Sequence, residues 1–304
     1  MSNGKAETKI KEEIEEKPFP YMSKSTIKSV IKVFPRRIAF ISDTHIGSEY
    51  ALCPKQYTNP KGTTILANPG QLIFLDYFKR FTNRCDELDV DTVFHLGDIM
   101  HGQNHKELGA DLMTTDMNVQ KLMSKEILSP IFKGRKGGFV GGSGYHQGAG
   151  KANSPEQDLF EMIRLDGAPD LKWFGPVANV KIEPFNKMWH IQHGESAAII
   201  YQATVLERDQ NFMKIAEADG DLPHFDVSLK GHWHTWSHLH LDRFHAIQVP
   251  CWASWQPTKW GKLFYGKRPK CGGVVCLLDD EGRLTVWPFL YKPVPMIADG
   301  LFTI

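Results

Sequence analysis

From Arg37 onward the chain alternates short apolar runs, which stop at polar or glycine residues, with longer stretches in which apolar residues recur every three or four positions. The short runs predict buried strands and the longer period predicts helices, so the alternation predicts an α/β fold. Ile38 to Ile41, Thr92 to Leu96 and Gly138 to Val140 read as buried strands, and Leu72, Leu75, Phe78 and Phe81 fall at helical spacing between the first two. A second helix is predicted from Met113 to Leu128, ending ahead of Pro130 because the residue before a proline is pushed out of the helical region.

Ser154-Pro155-Glu156 predicts a helix start, with serine as N-cap and proline in the first turn, leading into Leu159, Phe160, Met162 and Ile163. Val177 to Ile182 and Met188 to His193 predict strands, Ala197 to Ala218 a helix, and the runs His238 to Val249 and Gly273 to Leu278 a second sheet. The first 35 residues stand outside this pattern. They open polar and charged, with glutamate and lysine dominating Lys9 to Lys17, and predict a flexible charged arm. Residues 36–304 are expected to form a single domain, with about 250–304 a strand-and-loop extension of it. No internal repeat or low-complexity tract interrupts the chain.

Composition narrows the function classes. With 304 residues and 41% apolar content the chain can bury a large core without a disulfide or zinc staple. Lysine plus arginine (36) and aspartate plus glutamate (35) nearly cancel, so net charge points to neither nucleic acid nor membrane. Cys53, Cys85, Cys251, Cys271 and Cys276 are odd in number and lack CxxC spacing, which predicts reduced thiols in a cytoplasmic protein. No signal-peptide pattern and no long uncharged apolar run is present, so neither secretion nor membrane spanning is expected.

Acidic and imidazole side chains fall at the predicted strand ends. The first strand ends in Ser42-Asp43-Thr44-His45, a D-x-H pair whose carboxylate and imidazole can reach one ion, and the second in Leu96-Gly97-Asp98. The third runs into Gly141-Gly142-Ser143-Gly144-Tyr145-His146, which offers a hydroxyl, backbone amides and an imidazole. His190-Ile191-Gln192-His193-Gly194 and Gly231-His232-Trp233-His234 close two further extended segments. Ligands gather beyond the carboxyl ends of strands in open α/β sheets, so five such segments predict one site.

Each motif alone is weakly specific, but their order is not. D-x-H, G-D, a glycine loop with histidine, H and G-H-x-H, in this order over about residues 37 to 240, resemble the calcineurin-like metallophosphoesterase superfamily. The third motif departs from the family's G-N-H. Gly142 to His146 looks like the longer Gly-Thr-x-x-His variant of phage and prophage members, with Ser143, or a water, in the asparagine's place.

The resemblance implies a four-layer αββα sandwich: two mixed β-sheets flanked by helices, in a single metallophosphoesterase domain. It implies two divalent ions, manganese first and zinc, iron or cobalt as alternatives. Asp43, His45, Asp98 and His234 would hold one, and His193, His232 and a bridging Asp98 the other. Histidine and aspartate suit these metals better than magnesium. His146 would act over the substrate as general acid or charge stabiliser, because imidazoles titrate near neutrality, and Tyr145 beside it would contact substrate. The alternative for His146 is a turn histidine that hydrogen-bonds backbone. His95, His101, His105, His238 and His240 stay outside the expected ligand set, and so does His190, which a strand would turn to the face opposite His193.

Substrate class rests on one segment. Trp252 to Lys270 interleaves aromatic and basic residues, Lys259 and Trp260 among them, and contains no acid. Basic groups can follow a phosphate backbone while aromatic faces stack on bases; the alternative is core aromatics under a solvated basic loop. The expected activity is therefore phosphodiester or nuclease cleavage of DNA or nucleotides by a metal-activated hydroxide, in the cytoplasm, or in the host's if the chain is phage-encoded. The alternatives are a phosphomonoesterase acting on phosphoprotein or a small metabolite, and a metal-binding module with little or no catalysis.

Overall fold

The computed structural model describes residues 33–103, 109–147, 154–195, 202–241, 244–254 and 269–292. Chain order is β1 (Arg36–Ile41), β2 (Gln56–Thr58), β3 (Thr64–Leu66), α1 (Pro69–Glu87), β4 (Thr92–His95), α2 (Met117–Phe132), β5 (Lys136–Phe139) and the single turn α3 (Gly144–Gln147). Then follow α4 (Pro155–Leu165), β6 (Leu171–Trp173), β7 (Val177–Ile182), β8 (Lys187–Gln192), α5 (Gln202–Asp219), β9 (Val227–Lys230), β10 (Ser237–Leu241), β11 (Phe244–Gln248), β12 (Cys271–Leu278) and β13 (Leu284–Tyr291).

Local chemistry sets the helix starts. Asn68 caps α1 by accepting from the Gln71 amide while Gln71 Oε1 accepts from the Asn68 amide, a reciprocal box with Pro69 in the first turn. Ser154 caps α4 in the same position relative to Pro155. The expected start of α2 at Met113 is corrected: Asp116 accepts from the amides of Asn118 and Val119, so the helix begins at Met117. Its expected stop is corrected too, since Pro130 lies inside the last turn. The helix continues to Phe132 because Ile131 and Phe132 are fully buried in the core, and Arg135 Nη1 donates to the Ile131 carbonyl at 2.7 Å. Burial of two large side chains outweighs the proline's local cost, which is smaller near a helix end.

Two sheets form the centre. The first has order β13-β12-β1-β4-β5-β6, with β1, β4, β5 and β6 parallel; the second has order β10-β11-β9-β8-β7, with β8, β9 and β11 parallel. Helices α1, α2 and α4 cover the outer face of the first sheet, where Phe74, Phe78, Phe81, Met123, Ile131 and Phe160 meet Ala39, Ile41, Val93 and Phe139. Ile38, Phe40 and Phe94 point the other way, onto Trp189, Ile191, Leu229 and Ile247 of the second sheet. Helix α5 covers the far side of that sheet through Val205, Leu206 and Met213. The result is the expected helix–sheet–sheet–helix sandwich. No helix among the described residues is long and apolar enough to cross a membrane.

One expected pairing is corrected. Gly273 to Leu278 belongs to the first sheet, where β12 lies antiparallel beside β1 with Ala39 opposite Val275. All eight residues of β12 are buried, Val275 and Leu277 in the helix-side core and Val274 and Cys276 between the sheets. A strand apolar on both faces belongs in a sheet interior, which its position in the chain does not reveal.

The seam between the sheets is centred on Phe40, whose ring lies 5.6 Å from Phe94 and 5.9 Å from Trp189. Phe40→Ala opens a cavity there and is expected to lower unfolding free energy by about 3–5 kcal/mol, whereas Phe212→Ala on exposed α5 should change it by less than about 0.5 kcal/mol, both read by urea titration.

Candidate metal centre

Parallel strands of both sheets deliver all five motif segments to one edge. Asp43 and His45 follow β1, Asp98 follows β4, the glycine loop with Ser143 and His146 follows β5, His193 follows β8, and His232 and His234 follow β9. Each segment must turn sharply where its strand stops. Asp43 (φ 51°), His45 (41°), Asp98 (50°), His232 (74°) and His234 (54°) all adopt left-handed backbone. Only Asp89 and Asn186 do so among the other described non-glycine residues. Such a conformation costs about 1–3 kcal/mol per residue and persists where the surroundings impose it, most often at functional sites.

The turns are locked by close approach. A Cβ on Gly142 would lie 2.2 Å from the Asp98 amide nitrogen, and one on Gly231 would lie 2.0 Å from Ser42 Oγ, so glycine is what lets neighbouring loops touch. His95, fully buried, accepts from the Gly97 amide at Nδ1, which leaves Nε2 to donate to Thr44 Oγ1; Thr44 Oγ1 in turn donates to the Ile99 carbonyl. Burial pushes the His95 imidazole down to about 3, so it acts as a neutral link between the first two loops.

Within this frame, carboxylates and imidazoles converge. Asp43 Oδ2 accepts from Ser42 Oγ at 2.5 Å and from the His232 amide at 2.9 Å. Asp43 Oδ1 is buried and accepts no hydrogen bond, yet lies 3.3 Å from His234 Nε2, 3.8 Å from His45 Nε2 and 3.9 Å from His193 Nε2. Asp98 Oδ2 lies 2.9 Å from His193 Nε2, while Asp98 Oδ1 accepts from the Ser143 amide at 2.7 Å and from Ser143 Oγ at 3.1 Å. His45 and His234 face each other Nε2 to Nε2 at 3.0 Å, and His193 Nε2 meets His232 Nδ1 at 3.2 Å. Asp43, His45 and His234 thus form one group that could hold a divalent cation, and Asp98, His193 and His232 another.

The electrostatics favour positive charge between the two carboxylates. Burial would raise both aspartates, but the positive charge of His193 overrides it and holds Asp43 and Asp98 below the ordinary carboxylate range. Burial would lower His193, but Asp98 and Asp43 drive it up to about 10. The pair of buried carboxylates therefore demands positive charge at His193 Nε2, and Nδ1, 2.7 Å from the Leu96 carbonyl, can hold its own proton there. His45 is held far below the ordinary range by burial and by the other histidines, and His232 below it by burial and His193, so both present neutral ligand nitrogens.

The remaining expected residues are placed as follows. His146 Nδ1 lies 2.6 Å from the His101 carbonyl, and its Nε2 faces Asp98 Oδ2 at 3.8 Å, at the mouth of the centre. Tyr145 lies edge-on to His146 with ring centroids 4.8 Å apart. Ser143 Oγ is directed at the Asp98 carboxylate. His190 pairs with Asn179 and Gln192, away from the cluster. Lys259, Trp260 and His105 lie outside the described residues, as do residues 1–32 of the expected arm. Trp252, the first aromatic of the basic segment, is fully buried against Phe78 and Phe81, which matches the core-packing alternative for that residue.

Two residues beyond the sequence-based set belong to the centre. His101, 3% exposed, gathers with His45 and His146 in a third group of ligand-sized spacing; its position three after Asp98 was the available signal. Glu156, 1% exposed, accepts from the Ile99 amide at 2.7 Å with Oε1 and from the Gly142 amide at 2.9 Å with Oε2, clamping the second motif to the third. Burial and then the Asp98 charge push its carboxyl up to about 7. In the sequence it reads only as part of a helix start.

No family model and no curated protein matches the chain. Solved structures give distant matches. An archaeal phosphodiesterase is 15% identical at TM-score 0.41, covering 83% of this chain and 99% of its own. Zinc-complexed Vps29 from Entamoeba histolytica is 14% identical at TM-score 0.38, with 83% and 99% covered. The phosphoesterase Yfce from E. coli is 13% identical at TM-score 0.37, with the same coverage. At such values the functional reading rests on the centre's own geometry.

Glu156→Gln replaces one of two acceptor oxygens with an NH2 group that faces a backbone donor. It is expected to cost about 1–3 kcal/mol in thermal or urea unfolding, the range for a buried donor left unsatisfied.

Proposed function

We propose that the chain is a phosphoester hydrolase working with a pair of divalent cations, and that its substrates are phosphodiesters of DNA or nucleotides. The observation that carries this reading is Asp43 Oδ1, a buried carboxylate oxygen without a hydrogen bond and surrounded by three imidazole nitrogens within 3.9 Å. A buried anion left in that state is destabilising unless a cation completes it. The donor set fits: Asp43, His45 and His234 would hold one ion, His193, His232 and Asp98 the other, with Asp98 shared and Ser143 lending its hydroxyl beside Asp98. Mixed imidazole and carboxylate donors suit Mn2+, Zn2+, Fe or Co2+. When bound, such ions supply Lewis-acid charge neutralisation and a nucleophile at neutral pH.

The chain's own residues do the rest. Leu96 O and His193 Nδ1 fix the ring so that Nε2 faces Asp98. The His101 carbonyl takes the Nδ1 proton of His146, so a second proton on that ring sits at Nε2, facing the centre, where it can pass to a leaving alkoxide. Tyr145 flanks that face and can contact the substrate. Choice of diester over monoester rests on the sequence from Trp252 to Lys270, whose Lys259 and Trp260 would contact phosphate and base.

The test is hydrolysis of p-nitrophenyl phosphate, bis-p-nitrophenyl phosphate and labelled single-stranded DNA, each with Mn2+, Zn2+ and Co2+. Turnover of the diester and DNA is the expected result; turnover of the monoester alone assigns a phosphomonoesterase, and none after full loading a binding module. Asp98→Asn should lose activity by more than about 100-fold together with bound metal, whereas His146→Ala should retain metal and lower kcat by about 10²–10⁴-fold. Equal metal loss in both variants would contradict the division of roles.

A further inference from the structure

A second gathering of histidines lies on strands β10 and β11, apart from the motif segments. β10 is an edge strand of the second sheet and pairs antiparallel with β11, with His240 opposite His245 and His238 opposite Ile247. His238 and His240, two residues apart on one strand, share a face, and His245 lies across the ladder on that face. The three rings are nearly parallel: His240 stacks on His245 at 3.9 Å with 9° between planes, and His238 lies 5.2 Å from His245 at 16°. His238 Nε2 and His245 Nδ1 face each other at 3.0 Å, on the exposed side of the ribbon.

We propose that His238 and His245, with His240, form a transition-metal site separate from the candidate catalytic centre, selecting Zn2+, Cu2+ or Ni2+ over Mg2+ or Ca2+. Two imidazoles on one ion at metal–nitrogen distances of about 2.0–2.1 Å hold their nitrogens about 2.9 Å apart for cis square-planar angles and about 3.3 Å for tetrahedral ones. The observed 3.0 Å falls in that interval. Without metal, one proton shared between the two nitrogens holds the rings in place; the cation takes that proton's position. His240, exposed and stacked on His245, is the nearest further imidazole to this pair.

The surroundings keep the ligands in their binding form. Burial lowers His245, with the charges of His240, His238 and Lys187 adding to it against Asp226, to about 4; burial and His240 lower His238. Both are thus neutral near pH 7, so a metal competes with few protons. All-imidazole donors exclude the hard cations, which require oxygen. The site also follows directly on the fifth motif: β10 begins at Ser237, three residues after His234, and Thr235 Oγ1 donates to Gln248 Oε1 of β11.

The experiment counts bound Zn2+ on the full chain after gel filtration, for the wild type, His238→Ala/His245→Ala, His238→Gln/His245→Gln and Asp43→Asn/Asp98→Asn. Either histidine pair variant should hold about one equivalent less than wild type, with diester hydrolysis in Mn2+ unchanged. The aspartate variant should lose its own complement and keep this one, so failure of the catalytic reading and failure of this one leave different patterns. In the aspartate background, Cu2+ should give an electron paramagnetic spectrum split by ring nitrogens, and the histidine changes should remove one component of it, since His45, His101 and His146 remain. Equal zinc counts in the wild type and the glutamine pair variant, or a copper spectrum indifferent to His238 and His245, overturns the proposal.

Discussion

Two buried carboxylates are the constraint around which this fold is arranged. Asp43 and Asp98 sit at the seam where two sheets meet, with side-chain exposures of 0% and 3%. Desolvation of an ionised carboxylate costs several kcal/mol unless donors or cations surround it. Around Asp43 the chain supplies Ser42 Oγ and the His232 amide on one oxygen only, and around Asp98 the Ser143 amide and hydroxyl and His193. The other Asp43 oxygen is directed into a ring of imidazoles. The two carboxylates call for positive charge in that ring, part of which His193 supplies.

Holding it requires rigid supports on every side. Asp43, His45, Asp98, His232 and His234 occupy left-handed backbone, a conformation that relaxes unless neighbouring segments prevent it. Prevention comes from glycines that allow loop-to-loop contact, from the His95–Thr44–Ile99 chain between the first two loops, and from the Glu156 carboxylate between the second and third. Gln120, also buried, closes the far end by exchanging hydrogen bonds with Gly102 and donating to the Thr114 carbonyl. Behind these lies the apolar seam of Phe40, Phe94 and Trp189. The two sheets contribute residues to the same groups, so the centre is only as well placed as the sheets are packed.

The edge strand β10 of that second sheet and its neighbour β11 carry the other imidazole cluster. Its connection to the metal centre is short in sequence, through the His234–Ser237 turn, and is reinforced by the Thr235–Gln248 bond. The two clusters differ in donor chemistry: the seam offers carboxylate oxygen as well as imidazole nitrogen, the β10–β11 pair imidazole nitrogen alone.

Much of this was legible along the chain. Apolar runs and helical periods located β1, β4, α1, α4, β7 and β8, and strand-terminal Asp, His and Gly residues marked Asp43, His45, Asp98, His193, His232 and His234 as candidates, because strand ends are where a sheet can present polar groups without breaking its ladder. What the sequence could not hold is information that exists only between distant segments. The place of β12 beside β1, the extension of α2 through Pro130, the inward position of His101 and the clamp made by Glu156 each depend on partners 50 to more than 200 residues away or on core burial. Local pattern determines which residues can form a strand, a cap or a ligand; only packing, which fixes dihedral angles against their local preference and brings a carboxylate to a backbone amide across the fold, decides which of them do.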